Sequence, residues 1–139
     1  MNIVLDTNCL IMIISPHSDY YSLWRAFLSE KYTLCISNEI IEEYAEVMAR
    51  NLSPQLSEMI IYTILTSPNV IRVDPHFSFG LIETDKDDNK FVDCAIACNA
   101  RCIVTEDKHF DVVKQIHFPS VDILNIDAFK ELLFHDSLC

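Results

Sequence analysis

The sequence predicts an α/β fold, a three-layer α/β/α sandwich around a mostly parallel central sheet. Short apolar stretches of strand character alternate with amphipathic helical ones along 139 residues, the order expected of parallel strands joined by crossover helices. The strand segments read as unbroken hydrophobic runs, Ile3-Val4-Leu5 and Cys102-Ile103-Val104 among them, as strands covered on both faces do. Half of the residues are hydrophobic, which excludes a disordered chain and supplies apolar surface for one sizeable core. With no internal repeat or linker, residues 1–139 are expected to form a single domain.

Asn2-Ile3-Val4-Leu5 ends abruptly at Asp6-Thr7-Asn8, which reads as a buried strand and its C-terminal turn. Cys9 to Ile14 begins a helix broken at Ser15-Pro16. Asp19 to Ser29 is helical, with Tyr20, Leu23, Trp24, Phe27 and Leu28 at core spacing, and Thr33 to Ile36 is a second strand. Ser37 caps a helix from Asn38 to Asn51, with Glu39 in the first turn where the helix dipole favours an acid. Ser53-Pro54 restarts helix in the order cap then proline; that helix carries Leu56, Met59, Ile60, Thr63 and Ile64 and stops before Pro68. Val70 to Val73 is a third strand, and Asp74 to Glu83 is loop. Asp88 to Ala100 is helical, Cys102 to Val104 is strand, and Lys108 to Gln115 is a short helix. Val121 to Leu124 is the last strand and Ala128 to Phe134 the closing helix. Gly80 is the single glycine, so turns fall to Asn, Asp, Ser and Pro.

The formal charge of −11 repels bare nucleic acid and counts against a simple DNA- or RNA-binding module. It leaves room for a nuclease whose acids are neutralised by cations, and for a basic partner. The cysteines at 9, 35, 94, 98, 102 and 139 form no C-x-x-C pair and most lie in apolar segments, so buried thiols are expected in preference to a zinc site or disulfides. The apolar run from Cys9 to Ile14 is far too short to span a bilayer and lacks a basic leader, so the expected location is cytoplasmic.

The acids draw attention to the stretch from Glu83 to Phe110, ETDKDDNKFVDCAIACNARCIVTEDKHF. Asp93 projects with Ala97 and Ala100 and close to Ile96, where a charge would be buried unless a cation meets it. An ion pair with Lys90 is the plain alternative. Asp107 follows a strand in Thr105-Glu106-Asp107 and either caps the next helix or serves a site. Asp6 also follows a strand, where it either starts a turn by bonding the backbone of Thr7 or Asn8, or joins Asp107 at the carboxyl ends where such sheets place their sites. At about 100° per residue, Glu43 borders the apolar stripe of Ile40 and Val47, whereas Glu39, Glu42 and Glu46 read as solvated. Asp88 is a helix cap or a ligand, and Asp85 and Asp87 are solvated loop acids.

Converging carboxylates repel one another and raise their own pKa values. A hard divalent ion removes that difficulty, and Mg²⁺ or Mn²⁺ suits an oxygen-rich site. No histidine has comparable placement, so a zinc hydrolase and a Ser-His-Asp triad are poor readings, and no glycine-rich loop could cradle a nucleotide.

Taken together, IVLDTNCLI at residues 3–11, SNEIIEEYAEVM at 37–48 and DKDDNKFVDCAIACNARCIVTEDKHF at 85–110 resemble PIN-domain ribonucleases, close to the toxin-like PIN proteins of prokaryotic toxin–antitoxin systems. The resemblance implies a PIN-like, Rossmann-like sheet and metal-assisted hydrolysis of single-stranded RNA. It implies Asp6, Glu43, Asp93 and Asp107 as catalytic metal ligands with Asp88 as a fifth, and Asn8 and Thr105 as supporting polar neighbours. One Mg²⁺ or Mn²⁺ would activate water, and a second, if bound, would stabilise the leaving oxygen. Lys90, Lys108 and His109 flank the acids as candidate phosphate contacts. An antitoxin protein and a second copy of the chain are the implied partners. Glu106 departs from the small residue frequent in relatives, and Arg101-Cys102 from an acid and an aromatic. A catalytically silent PIN-fold module that binds a basic protein is the competing reading. A receiver- or phosphatase-like domain is weaker, since Asp6-Thr7-Asn8 lacks the second acid of a D-x-D motif.

Overall fold

Five short strands, all parallel, carry the fold: β1 (Asn2–Leu5), β2 (Thr33–Ile36), β3 (Val70–Arg72), β4 (Cys102–Val104) and β5 (Asp122–Leu124), in the order β3-β2-β1-β4-β5. The computed structural model describes residues 1–74, 80, 88–115 and 121–136. With helices over the sheet the architecture is the expected three-layer α/β/α sandwich, and the sheet is wholly rather than mostly parallel. Ile3, Val4, Leu5, Leu34, Cys35, Ile36, Cys102, Ile103 and Val104 are at most 2% exposed, which accounts for their unbroken hydrophobic runs.

Chain order sets the position of the site. From β1 the chain steps outward through β2 to β3, then returns to the other side of β1 with β4 and β5. The strand order therefore reverses between β1 and β4, the kind of switch point where a crevice opens beyond the carboxyl ends. In the β1–β4 register Leu5 lies opposite Val104, and the Asp6 N–H donates to the Val104 carbonyl at 2.9 Å. Asp6 and Thr105, the next residue of each strand, are thereby held side by side.

The helices are α1 (Thr7–Ile14), α2 (Tyr21–Leu28), α3 (Asn38–Asn51), α4 (Pro54–Thr66), α5 (Asn89–Ala97) and α6 (Ile126–Asp136), with a 3-10 helix over Lys108–Gln115. Ser37 and Ser53 cap α3 and α4 through the amides of Ile40 and Leu56, as their sequence predicted. Helix α1 begins two residues earlier than expected because the Asp6 side chain accepts from the Thr7 amide and starts it. Helix α5 stops at Ala97 rather than Ala100. There Asn99 turns left-handed (φ 53°), and bonds from Ala100 N to Ala95 O and from Asn99 N to Ile96 O close a Schellman motif. Glu30 (φ 60°) ends α2 the same way, with Lys31 N bonded to Ala26 O, a place where glycine would ordinarily stand. Leu28, expected in the core, is 49% exposed. Helix α6 starts before Ala128 because Glu106 and Asn125 side chains accept from the amides of Ile126 and Ala128.

Aromatic contacts bind the layers. Tyr32 meets Phe129 edge to face at 5.2 Å, and Phe91 of α5 meets Phe110 of the 3-10 helix at 6.3 Å. All four are at most 2% exposed, so each contributes about 1.5–3 kcal/mol of transfer free energy. The Phe91–Phe110 pair also fixes how the residues just before each ring approach one another. Cys9, Cys35, Cys94, Cys98 and Cys102 are all reduced, and four of them are buried, as expected. Asp85, Asp87 and most of the 74–83 loop lie outside the described residues. Among the described residues no helix is long and apolar enough to cross a membrane.

Candidate functional site

Asp6 leaves β1 in extended conformation and is 7% exposed. Its Oδ1 accepts from the Thr7 amide at 2.8 Å, and its Oδ2 accepts from the Thr105 hydroxyl at 2.7 Å. The Thr105 oxygen in turn accepts from the Asp107 amide at 3.0 Å. One hydroxyl thus joins the acid after β1 to the loop after β4. Burial raises the Asp6 pKa, the bonds from Thr105 and Thr7 partly offset this, and the carboxylates of Glu43 and Asp107 raise it further. The turn-starting role and the site role expected of Asp6 therefore coexist.

Glu43 comes from α3, whose Ile40, Tyr44 and Met48 are fully buried. The Tyr44 hydroxyl donates to the Leu5 carbonyl at 2.5 Å and pins this helix to the end of β1. Glu43, next to Tyr44, is half-buried, while Glu39, Glu42 and Glu46 are exposed as expected. Its Oε2 accepts from the Thr7 hydroxyl, and its Oε1 lies 2.7 Å from the ammonium of Lys90, whose side chain is only 14% exposed. Lys90, expected as a partner of Asp93 or a phosphate contact, here meets Glu43.

Asp88 stands at the N-cap position of α5, but its backbone is helical and it makes no capping hydrogen bond, so the expected cap is corrected. Its carboxylate instead faces the 3-10 segment. One oxygen each of Asp88 and Asp107 and one imidazole nitrogen of His109 all lie within 4.8 Å of one another. Asp107 caps its segment through the His109 amide at 2.9 Å, and the His109 Nδ1 is 3.4 Å from the same oxygen. Asp93 is 8% exposed on α5, a helix packed against β1, β2, β4 and α3. Of the residues expected on its face, Ala100 is buried and Ile96 partly buried, whereas Ala97 is exposed. Asn8 and Lys108 are exposed.

Two residues contribute in ways that the sequence did not indicate. Thr7 links Asp6 and Glu43 through its amide and its hydroxyl; a hydroxyl residue directly after a strand-end acid was the available signal. His109, expected as a phosphate contact, instead joins two acids as a candidate ligand, and its two-residue spacing from Asp107 was the available signal. Glu106, the departure from the small residue frequent in relatives, accepts from the Ile126 amide at the start of α6, where a helix N-terminus favours an anion. The donor set, in which the Glu43 and Asp107 carboxylates raise the pKa of Asp6 and an imidazole lies beside Asp88 and Asp107, fits a divalent cation.

Residues 2–109 match the family model for the PIN domain. No curated protein matches the chain. The fold is similar to that of VapBC2 from Rickettsia felis bound to a DNA fragment from its promoter (TM-score 0.62, 22% identity, 90% of this chain and 98% of that one). It is similar also to DNA-bound VapBC from Salmonella typhimurium (TM-score 0.61, 17% identity, 91% and 98%). A third likeness is to Mycobacterium tuberculosis VapC20, a toxin that cleaves the sarcin–ricin loop (TM-score 0.57, 12% identity, 82% and 96%).

Proposed function

The chain belongs to the PIN domain family, and on that premise we propose that it is a Mg²⁺- or Mn²⁺-dependent endoribonuclease that hydrolyses phosphodiester bonds of single-stranded RNA. The observation that carries this reading is the bonded path from Glu43 through Thr7, Asp6 and Thr105 to Asp107, with Asp88 and His109 against its far end. In this reading Asp6, Glu43, Asp88, Asp93 and Asp107 hold one or two ions, and His109 joins the ligands. A bound divalent ion supplies positive charge beside the scissile phosphate and acidifies water. Thr7 and Thr105 hold the carboxylates in register through fixed hydrogen bonds, which is how a rigid site avoids reorganisation during reaction. Lys108, exposed and next to Asp107 in sequence, would supply a cation to a phosphate in this reading. At a net charge of −11, RNA would approach only after the cluster is neutralised.

We further propose that the chain acts in the cytoplasm as one domain and as the toxin of a toxin–antitoxin pair. The related structures are toxin–antitoxin complexes. This chain leaves Leu28, Leu52 and Met59 43–58% exposed around a groove that Trp24 and Leu56 also line, apolar surface suited to an antitoxin segment. The competing reading, a silent module for a basic partner, draws on the acidity and on Lys90 already sitting on Glu43. Incubating the purified chain with single-stranded RNA and Mn²⁺, beside Asp6→Asn, Asp88→Asn and Asp107→Asn, tests the nuclease. Cleavage by the parent and loss in each variant are expected. Equal cleavage by all four proteins would sink the proposal, and failure of calorimetry to detect Mn²⁺ at millimolar concentration would favour the silent module.

A further inference from the structure

Glu43 stands at one end of the bonded path and Asp107 at the other, and the two ends differ in what meets them. Among the described residues, ligand atoms of Asp88, Asp107 and His109 gather within 4.8 Å of one another, and no oxygen of Glu43 belongs to that group. The Asp107 and His109 side chains are 36% and 45% exposed, so this end is open to an ion from solvent. At the other end both Glu43 oxygens are engaged: Oε2 accepts from the Thr7 hydroxyl, and Oε1 lies 2.7 Å from the Lys90 ammonium. Exposure there falls to 26% for Glu43 and 14% for Lys90. A cation of the protein's own covers a carboxylate that the nuclease reading gives to metal.

Lys90 is the second residue of α5, where the helix dipole opposes a positive charge. The ammonium is held instead by Glu43 of α3, which packs against α5, and by the face of the Phe91 ring, whose centroid is 5.7 Å from Nζ. Its position is thus set by the site and not by its own helix. A point charge on a flexible four-carbon stem can leave and return, while Glu43 stays where the Thr7 hydroxyl holds it.

We propose that Lys90 is a tethered cation that holds the Glu43 position closed to metal, so that the chain takes up its ions in order. The first enters at Asp88, Asp107 and His109, and the second enters beside Asp6 and Glu43 only after Lys90 has left Oε1. This inference rests on the metal-dependent reading above and adds to it the number and order of the ions. Divalent ions of this kind demand oxygen ligands in a narrow geometry, and Oε1 does not serve one while the ammonium lies 2.7 Å away. Binding of the second ion must break a charge-assisted hydrogen bond, which is worth roughly tenfold or more in affinity. The first ion meets no such cost.

Titration of the full chain with MnCl₂ in a calorimeter should show two ions that differ in affinity by at least about tenfold. Lys90→Met should tighten the weaker ion by about tenfold and leave the tighter one unchanged, whereas Lys90→Arg, which keeps the charge, should preserve the gap. The unaltered chain gives a second readout should Lys90→Met fold poorly. Without metal, acetic anhydride should modify Lys90 at least about tenfold more slowly than Lys114, whose ion pair is exposed, and saturating Mg²⁺ should remove that protection. Two ions of equal affinity in the parent, unchanged binding in Lys90→Met, or equal tightening in Lys90→Arg would overturn the proposal while the nuclease reading stands. So would protection of Lys90 that Mg²⁺ does not relieve, or tightening confined to the ion that Asp88→Asn weakens. Absence of Mn²⁺ binding at millimolar concentration in the parent and in Lys90→Met would overturn the metal-dependent reading and this inference together.

Discussion

Thr105→Val is the substitution that interrogates the site most directly. Valine matches threonine in shape, so packing at this 4% exposed position is preserved and only the hydroxyl is lost. Two bonds go with it: the one to Asp6 Oδ2 at 2.7 Å and the one from the Asp107 amide at 3.0 Å. A hydrogen bond to an ionised group is worth about 1.5–3 kcal/mol, a neutral one about 0.5–1.5 kcal/mol. The sign of the pH dependence follows from Asp6. Burial raises its pKa in the folded state, so the fold binds this proton more tightly than the unfolded chain. That contribution is present below the ordinary carboxylate value of about 3.9 and is lost as pH rises through the folded value. Removing the Thr105 bond takes away an effect that lowers this pKa, raises it further and enlarges the cost at neutral pH. In metal-free protein, Thr105→Val should therefore lose about 1.5–3 kcal/mol at pH 7, on the order of 5–15 °C in Tm. At a pH about one unit below the ordinary carboxylate value of about 3.9, where Asp6 takes up its proton, the loss should shrink toward about 1 kcal/mol. Urea unfolding followed by circular dichroism at both pH values reads this directly, with Thr105→Ser as the hydroxyl-retaining control. An equal loss at the two pH values, or none at pH 7, would refute the claim that Thr105 holds an ionised Asp6.

Other substitutions separate the roles further. Lys90→Met should tighten Mn²⁺ binding measured by calorimetry, because it frees the Glu43 oxygen that now lies 2.7 Å from the ammonium. Asp88→Asn should weaken that binding by about tenfold or more, some 1.4 kcal/mol, since its carboxylate sits with Asp107 and His109. Phe110→Ala should cost about 3–5 kcal/mol in thermal or urea melts and should also weaken Mn²⁺, because the Phe91–Phe110 contact aligns α5 with the 3-10 helix. Ser37→Ala should cost about 1 kcal/mol of urea stability, since its hydroxyl caps the helix that carries Glu43.

The fold was legible because burial and chain order write themselves into composition. Strands such as Ile3-Val4-Leu5 and Cys102-Ile103-Val104 are covered on both faces, and a fully covered strand has no polar alternation to blur it. Ser37 and Ser53-Pro54 marked helix starts because the signals are local. Helix ends were less legible, since Glu30 and Asn99 take left-handed turns without glycine. Asp88 misled for a related reason: an acid before a helix usually caps it, and only the approach of Asp107 and His109 from another segment draws its carboxylate elsewhere. Periodicity put Asp93 with Ala97 and Ala100; Asp93 and Ala100 are buried, yet Ala97 is exposed. Near a helix N-terminus, depth against the sheet decides burial as much as angular position does. The Thr7 hydroxyl and the ligand role of His109 were not legible because they lie in pairings with Glu43 and Asp88, which sequence spacing does not encode.

The pairings also explain how a fold tolerates so many acids at one point. Asp6 is held by an amide and a hydroxyl, Glu43 by a hydroxyl and an ammonium, and Asp107 by the His109 amide. These are the ordinary structural roles that an acid fills at a turn, a helix border or a cap. Each leaves the carboxylate partly satisfied and aimed, which is the condition for a preorganised ligand. The ordinary role and the functional one are therefore the same contacts seen at two occupancies. In the metal-free chain the cluster relies on donors from Thr7, Thr105 and Lys90. In the proposed holoprotein the cation takes over the neutralising share, and Lys90, the one charged donor among them, is the group it must displace or share. That is why the Lys90 and Thr105 substitutions should move metal affinity and metal-free stability in different combinations. Thr105→Val weakens the frame that both states use. Lys90→Met removes a competitor that only the metal-free state needs.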